Sequence, residues 1–352
     1  MFKRAALALA LTCTALTPVV AQTAAFSMEE EQIIPPFDRA GSEEKANFIN
    51  TTDEDAATDR VVNGEIAKEG AWPWQVALMK TNADRTKLGQ FCGGTLIQDT
   101  WILTAAHCVL KATGKGKDRK LTMVNPADLR ILVGTNKLAN GRGDLVPVAA
   151  IHAHPGYNPR GFDNDIALIK LDRAPQAKYQ TITIPKAEYA DILERPGIPT
   201  IVTGWGMTET GRPSRDLREA RIQMIDRKVC NRAILNRRAK GAIKAFAQAA
   251  GALGLSQVNA KRAWTQILEQ SPQAMTANMI CSGSPQGPKG ACSGDSGGPL
   301  VVPLKDGRYI QAGVVSWGMA ARTGKGCDRK SQFSAYTRTG NYVDWVLETI
   351  KK

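Results

Sequence analysis

The chain has 352 residues, 43% of them hydrophobic, with 32 Gly, 18 Pro and a formal net charge of +13. That length carries one large domain or two modest ones with an ample core, and the composition is that of an ordinary globular protein. Gly and Pro at this level suit many short strands joined by turns. In chain order, Lys3 and Arg4 precede an apolar run over residues 5–16, and Val19, Val20 and Ala21 offer small residues for cleavage. This is the pattern of an export signal over residues 1–21, which places the protein outside the cell or in the periplasm. The run is too short to anchor in a bilayer, so no membrane span is expected. Residues 22–60 follow as an acidic, aperiodic propeptide, with ten acidic and three basic side chains. Such a segment is expected to be flexible. Beyond Arg60 the balance reverses, with 41 Lys and Arg against 23 Asp and Glu. Either the acidic leader lies over the basic body, or each charge excess keeps its own segment soluble.

From Val61 the texture is that of short strands. Apolar and β-branched runs recur at 74–78, 95–103, 130–134, 166–171, 200–204, 299–303, 310–317 and 332–337, each bounded by turn residues. The pattern predicts an all-β sandwich or barrel. Residues 232–270 break it. Ile234, Leu235, Ile243, Phe246, Leu253, Leu255, Trp264, Ile267 and Leu268 stand among Ala, Lys, Arg and Gln, with 243/246, 264/267 and 264/268 three or four apart, which predicts two amphipathic helices interrupted near Gly251–Gly254. Their polar faces are basic, through Arg232, Arg237, Arg238, Lys240, Lys244, Lys261 and Arg262. Residues 341–350 read as a closing helix.

Once the signal and its Cys13 are removed, six cysteines remain: Cys92, Cys108, Cys230, Cys281, Cys292 and Cys327. An even number behind an export signal predicts three disulfides, and spacing alone leaves all 15 pairings open. Zinc-type spacings are absent, and no cofactor or metal is expected. Three segments carry chemistry. Ser296 sits in Gly294-Asp295-Ser296-Gly297-Gly298-Pro299, where glycines let backbone amides approach a developing oxyanion. His107 follows the strand-like 101–103. Asp165 opens the run 166–171. An imidazole can take the serine proton, and a carboxylate can fix the imidazole's tautomer and offset its charge. An α/β-hydrolase esterase would need His last in the chain, and here it comes first.

With TAAHC at 104–108, DIAL at 165–168, TGWG at 203–206, GDSGGP at 294–299 and SWG at 316–318, the chain resembles the trypsin/chymotrypsin family of serine peptidases from Val61 to its end. The resemblance implies two six-stranded antiparallel β-barrels with a helical insertion and a C-terminal helix. It implies a catalytic triad of His107, Asp165 and Ser296, and an oxyanion hole from the amides of Gly294 and Ser296. Ser316 is expected behind the triad, and Ser316, Trp317 and Gly318 form a strand edge to which substrate adds. The implied disulfides are Cys92–Cys108, Cys230–Cys281 and Cys292–Cys327. Cutting after Arg60 by an Arg-specific protease is expected to free the Val61 amine, which then pairs with Asp295 and orders the surrounding loops.

The pocket floor falls on Gly290, where trypsin has an aspartate, and the walls on Gly318 and Ser334. Without a buried carboxylate a guanidinium is desolvated unpaired, so an apolar or aromatic side chain before the scissile bond is expected. Asp328 and Lys289 are the charges that would alter this, Asp328 toward Arg or Lys and Lys289 toward acidic substrates. Further departures stand out. Fifty residues separate Cys230 from Cys281, far more than in trypsin, and this basic insertion offers a surface for a polyanion or a solvated decoration of the barrel. Residues 111–120 form a second basic excursion. The family's calcium loop would fall on residues 134–143, which hold no glutamate, and Phe333 replaces a proline, a weak hint of sodium binding. His152 and His154 are read as surface or strand-end histidines.

Overall fold

Short runs of apolar residues, cut by turns, give strands, and the strands close on themselves twice. The computed structural model describes residues 47–48, 64–81, 88–113, 120–139, 141–208, 212–284, 290–318 and 333–351. The predicted export signal, most of the acidic leader, Arg60, Val61, Lys289, Cys327 and Asp328 lie outside them, as does the middle of the basic excursion at 111–120.

Two short strands come first, β1 (Asn47–Phe48) and β2 (Glu65–Ile66). β3 (Gln75–Thr81), β4 (Leu88–Gln98) and β5 (Trp101–Thr104) follow, then the single-turn helix α1 (Ala106–Val109). A small hairpin, β6 (Leu110–Thr113) with β7 (Lys120–Met123), leads to β8 (Leu129–Val133), β9 (Asp144–Ala153) and β10 (Ala167–Leu171). Six of these strands close a barrel in the order β4-β3-β8-β9-β10-β5, because β5 returns to β4, and β1 adds to the β4 edge. The interior is filled by branched side chains such as Leu78, Leu96, Ile102, Ile131 and Ile169, each fully buried.

The second barrel repeats the scheme. After α2 (Ala187–Leu193) come β11 (Pro199–Gly204) and β12 (Arg218–Ile225), then α3 (Arg227–Arg238), α4 (Lys240–Ala252) and α5 (Gln257–Gln270). β13 (Met279–Gly283), β14 (Pro299–Pro303), β15 (Tyr309–Gly318), β16 (Ser334–Arg338) and the C-terminal α6 (Val343–Ile350) complete the chain. The order β11-β14-β15-β16-β13-β12 closes through β11–β12, with β2 appended to β12. The fold is therefore the expected pair of closed six-stranded antiparallel barrels, each with one short strand added.

Local departures have simple causes. The run 95–103 is a hairpin and not one strand, because Asp99 and Thr100 turn the chain between β4 and β5. The insertion holds three helices where two were expected. The break near Gly251–Gly254 is present, and a second falls at Ala239, whose N–H donates to Leu235 O and Arg237 O before the chain restarts at Lys240. Gly241 stands just beyond that junction, inside α4, and the apolar spacing Leu235, Ala239, Ile243 runs straight through it. β12 escaped the strand reading because it carries Arg218, Glu219 and Arg221. Arg218 and Glu219 are nonetheless buried, Arg218 donating to Ser214 Oγ and Glu219 accepting from Trp72 Nε1 at 2.8 Å. A buried charge survives only with such partners.

The insertion is tied to the barrel mainly through α3. Cys230 bonds to Cys281 of β13, and Asn231 exchanges two hydrogen bonds with the backbone of Met275. Ala233 and Ile234 pack with Phe162 of the first barrel and Trp317 of the second. α4 and α5 lean on each other through Phe246 and Trp264, ring centroids 5.1 Å apart, and leave their remaining faces exposed.

Candidate active site

The two barrels meet along a polar seam. Thr203 Oγ1 donates to Gln75 Oε1 at 2.6 Å and Thr95 Oγ1 to Gln311 Oε1 at 2.6 Å. All three residues singled out for chemistry lie at this seam. His107 stands in α1, directly after β5, on a floor of buried Ala105 and Ala106. Its Nδ1 lies 2.7 Å from Asp165 Oδ2, and its backbone N–H donates to Asp165 Oδ1 at 2.9 Å. A carboxylate accepts but does not donate, so Nδ1 carries the proton and Nε2 is left basic. Asp165 is fully buried at the entry to β10. Its Oδ2 also accepts from Ser316 Oγ, and its backbone carbonyl accepts from Thr337 Oγ1 at 2.7 Å. Ser316 thus touches the carboxylate from the second barrel, and both barrels hold Asp165 in place.

Ser296 arrives from the second barrel, on the loop before β14. Its carbonyl accepts from Gly93 N–H of β4 at 2.7 Å, and Gly93 in turn offers its own carbonyl to Thr104 Oγ1 at 2.8 Å. The next residue, Gly297, has φ +79°, and a Cβ there would come within 2.2 Å of Thr104 Oγ1 and 3.2 Å of Ala105 N. Only glycine permits that approach. The Ser296 loop is therefore pressed against the strand and turn that present His107.

The amides around Ser296 are aimed by their own peptide planes. The Ser293 carbonyl accepts from Met207 N–H at 2.7 Å, and the Asp295 carbonyl from Gly298 N–H at 2.9 Å. In a trans peptide the N–H points opposite to the C=O. The N–H groups of Gly294 and Ser296 therefore both point away from these anchors. Among the described residues the Gly294 amide has no acceptor. Asp295 is 1% exposed, and its carboxylate accepts from Gly206 N at 2.7 Å and Cys292 N at 2.8 Å. A Cβ on Gly206 would fall 2.6 Å from the Asp295 carboxyl carbon, so a larger residue would evict the group.

The pocket residues come together as a ladder. Gly318 and Ser334 face each other across β15 and β16. Ser334 Oγ accepts from Ala291 N–H at 3.1 Å and would lie 2.9 Å from a Cβ on Gly290. Trp317 is buried in the cluster with Phe162. Of the expected disulfides, Cys92–Cys108 and Cys230–Cys281 are present. Cys292 is disulfide-bonded, and its expected partner Cys327 lies outside the described residues. Cys92, His107 and Cys108 cluster as metal ligands might in a reduced protein, but the two sulfurs are bonded to each other. His154 packs T-shaped with Tyr342 and Trp345 and accepts from Gly156 N–H at Nδ1; burial pushes its imidazole below the usual value.

A family model described as trypsin matches residues 61–346. The chain belongs to the trypsin family. It is similar to suppressor of tumorigenicity 14 protein homolog of Bos taurus, at 33% identity over 83% of this chain and 28% of that protein. Clotting factor C of Tachypleus tridentatus is 29% identical over 82% of this chain and 25% of its own length. Transmembrane protease serine 9 of Rattus norvegicus is 28% identical, covering 84% and 22%. The chain thus spans about a quarter of the length of these relatives. No helix among the described residues is long and apolar enough to cross a membrane.

Several residues of this trypsin-family site escaped sequence reasoning. Gln90, fully buried, donates to Gly294 O at 2.8 Å and to Cys92 O at 3.1 Å, bracing the loop of the Ser296 amide. Phe162 and His107 meet T-shaped, ring centroids 5.8 Å apart, with Phe162 on a backbone of φ +54°. Asp163 accepts from Thr276 Oγ1 and Asn278 Nδ2, joining the Asp165 loop to the end of the insertion. Gln90 and Asp163 look like ordinary polar residues in the sequence. A bulky residue forced to positive φ is the one signal that singles out Phe162, and it shows only in the folded backbone.

Proposed function

We propose that this trypsin-family chain is a serine endopeptidase, with His107 as general base, Asp165 as its orienting partner and Ser296 as nucleophile. The observation that carries the reading is the buried Asp165 Oδ2 at 2.7 Å from His107 Nδ1, on the turn against which the Ser296 loop is pressed. Ser296 Oγ attacks the scissile carbonyl while Nε2 of His107 takes its proton. The oxyanion that forms is stabilised by the amides of Gly294 and Ser296, whose planes are already fixed and need no reorganisation. The tetrahedral species collapses with protonation of the leaving amine by His107, leaving an ester on Ser296. Water, deprotonated by the same imidazole, then releases the acid and restores the hydroxyl.

The finer reading is a secreted or periplasmic zymogen. Residues 1–21 are the export signal and 22–60 the acidic propeptide, and an Arg-specific protease cuts after Arg60. The new Val61 ammonium pairs with Asp295, a buried carboxylate that already accepts two amide N–H bonds. Protein or peptide substrates enter along Ser316–Gly318. An apolar or aromatic side chain fills the pocket of Gly290, Gly318 and Ser334, whose described walls carry a hydroxyl and no charge. The basic insertion adds a polyanion contact. Peptide-library profiling of the protein cut after Arg60, with Ser296→Ala as control, tests the reading. Cleavage after apolar or aromatic residues, absent from the control, is expected. Cleavage mainly after Arg or Lys would overturn the pocket assignment, and equal activity in the control would overturn the mechanism.

A further inference from the structure

β4 is flanked differently on its two edges. One edge is paired with β3 from Leu88 to Thr95, interrupted by a bulge at Phe91 where Leu78 opposes Cys92 and Met79 opposes Gln90. The other edge has three successive occupants. β5 pairs with its C-terminal end, from Thr95 to Gln98. At Gly93 the occupant is the nucleophile loop, through the bond from Gly93 N–H to Ser296 O. At Gln90 and Gly89 it is β1, with Asn47 opposite Gln90 and Phe48 opposite Gly89. Two residues, Phe91 and Cys92, separate the second occupant from the third, about 10 Å over three steps of some 3.4 Å each. Gln90 also reaches the loop itself, at Gly294 O.

β1 belongs to the acidic leader, on the far side of Arg60 from the barrels. β4 stands against the Ser296 loop at two points, through Gly93 N–H to Ser296 O and Gln90 Nε2 to Gly294 O, so a strand added at Gly89–Gln90 lies beside the loop at which a substrate would be cut. We propose that the β4 edge at Gly89–Gln90 is a docking site for the leader of this same chain, which adds there as a strand and covers the path of the substrate's leaving half. The proposal rests on the endopeptidase reading for its functional consequence, but not for the docking itself. A two-residue ladder is weak alone. The charge opposition between a leader with ten acidic and three basic residues and a body with 41 basic and 23 acidic ones supplies the rest, and makes the docking salt-dependent. Since Asn47 and Phe48 precede Arg60, the cut leader keeps its strand and acts as an inhibitor in trans.

The docking is tested on the full uncut chain by amide hydrogen exchange. In an Asn47→Pro/Phe48→Pro variant, which removes the leader amide that faces β4 whichever of the two residues carries it, exchange across residues 88–91 is expected to rise on the order of tenfold, with 93–98 unchanged. Unchanged exchange at 88–91 overturns the docking. The consequence is tested on the chain cut after Arg60 and freed of its leader in high salt, with a synthetic peptide of residues 40–56 as inhibitor. Cleavage of a peptide extending three residues past the scissile bond is expected to be inhibited, and that of an anilide with no residues beyond the bond is not. The proline-substituted peptide is expected to be weaker by on the order of tenfold. Equal inhibition of both substrates, or of neither, overturns the blocking role. A cut chain inactive on both substrates sinks the endopeptidase reading, and the exchange result still decides the docking.

Discussion

The N–H of Gly93 and the carbonyl of Ser296 are joined at 2.7 Å across the seam between the barrels. Gly93 belongs to the first barrel and Ser296 to the second, so the nucleophile loop is positioned by a strand it does not follow in sequence. The same glycine holds Thr104, three residues before His107, through its carbonyl. One backbone unit therefore sets the spacing between the turn of His107 and the loop of Ser296. Rigid-body movement of one barrel against the other would separate the two halves of the site.

Asp165 holds His107 in a single tautomer, so Asp165→Asn is expected to damage turnover far more than binding. The amide presents an N–H₂ donor where Oδ2 now accepts from both Nδ1 of His107 and Ser316 Oγ. A fall in kcat on the order of 10⁴ with little change in KM is expected, the size typical of this family's triads. Steady-state kinetics of the cut protein checks it.

Activation at Arg60 predicts an uncut protein that is nearly inert. Arg60→Gln, exposed to the activating protease, should stay at least about a hundredfold less active than the cut wild type, the scale of a two-state shift of a few kcal/mol. Full activity of the uncut variant on a small anilide substrate would remove the Val61–Asp295 pairing from the account.

Glu194 makes stability depend on pH near neutrality. Burial raises its carboxyl from 4.5 to about 7, against the pull of Arg338, whose Nε lies 2.6 Å from Glu194 Oε2. A carboxyl raised in the fold favours the native state in its neutral form. Its stabilisation is complete below about 4.5 and is lost as pH rises through about 7. Unfolding of wild type and Glu194→Gln, compared between pH 5 and 8, should show the wild type losing on the order of 1–3 kcal/mol relative to the variant as pH rises.

The exposed cations of the insertion predict retention on an anionic matrix. Arg232, Lys240, Lys244, Lys261 and Arg262 all face solvent. Replacing the five with Gln should lower the salt needed to elute the protein from heparin, because fewer counterions are released on binding. Peptidase activity should stay unchanged.

The sequence by itself determined the family and the class of fold. Ser296, His107 and Asp165 each stand in a short motif whose spacing is local, and alternating apolar runs announce strands wherever one face is buried. Such signals survive in a linear string because neighbours along the chain carry them. Tertiary structure alone decided what the string spreads apart. β12 is a strand although its first residues are charged, because Trp72 arrives from 147 positions away to satisfy Glu219, while Ser214, four positions back, accepts from Arg218. Gln90 braces Gly294 across 204 positions, and Phe162 meets His107 only because α3 packs behind it. Each of these depends on which strand edge or helix face lies opposite, and barrel closure fixes that, not the residue's own neighbours.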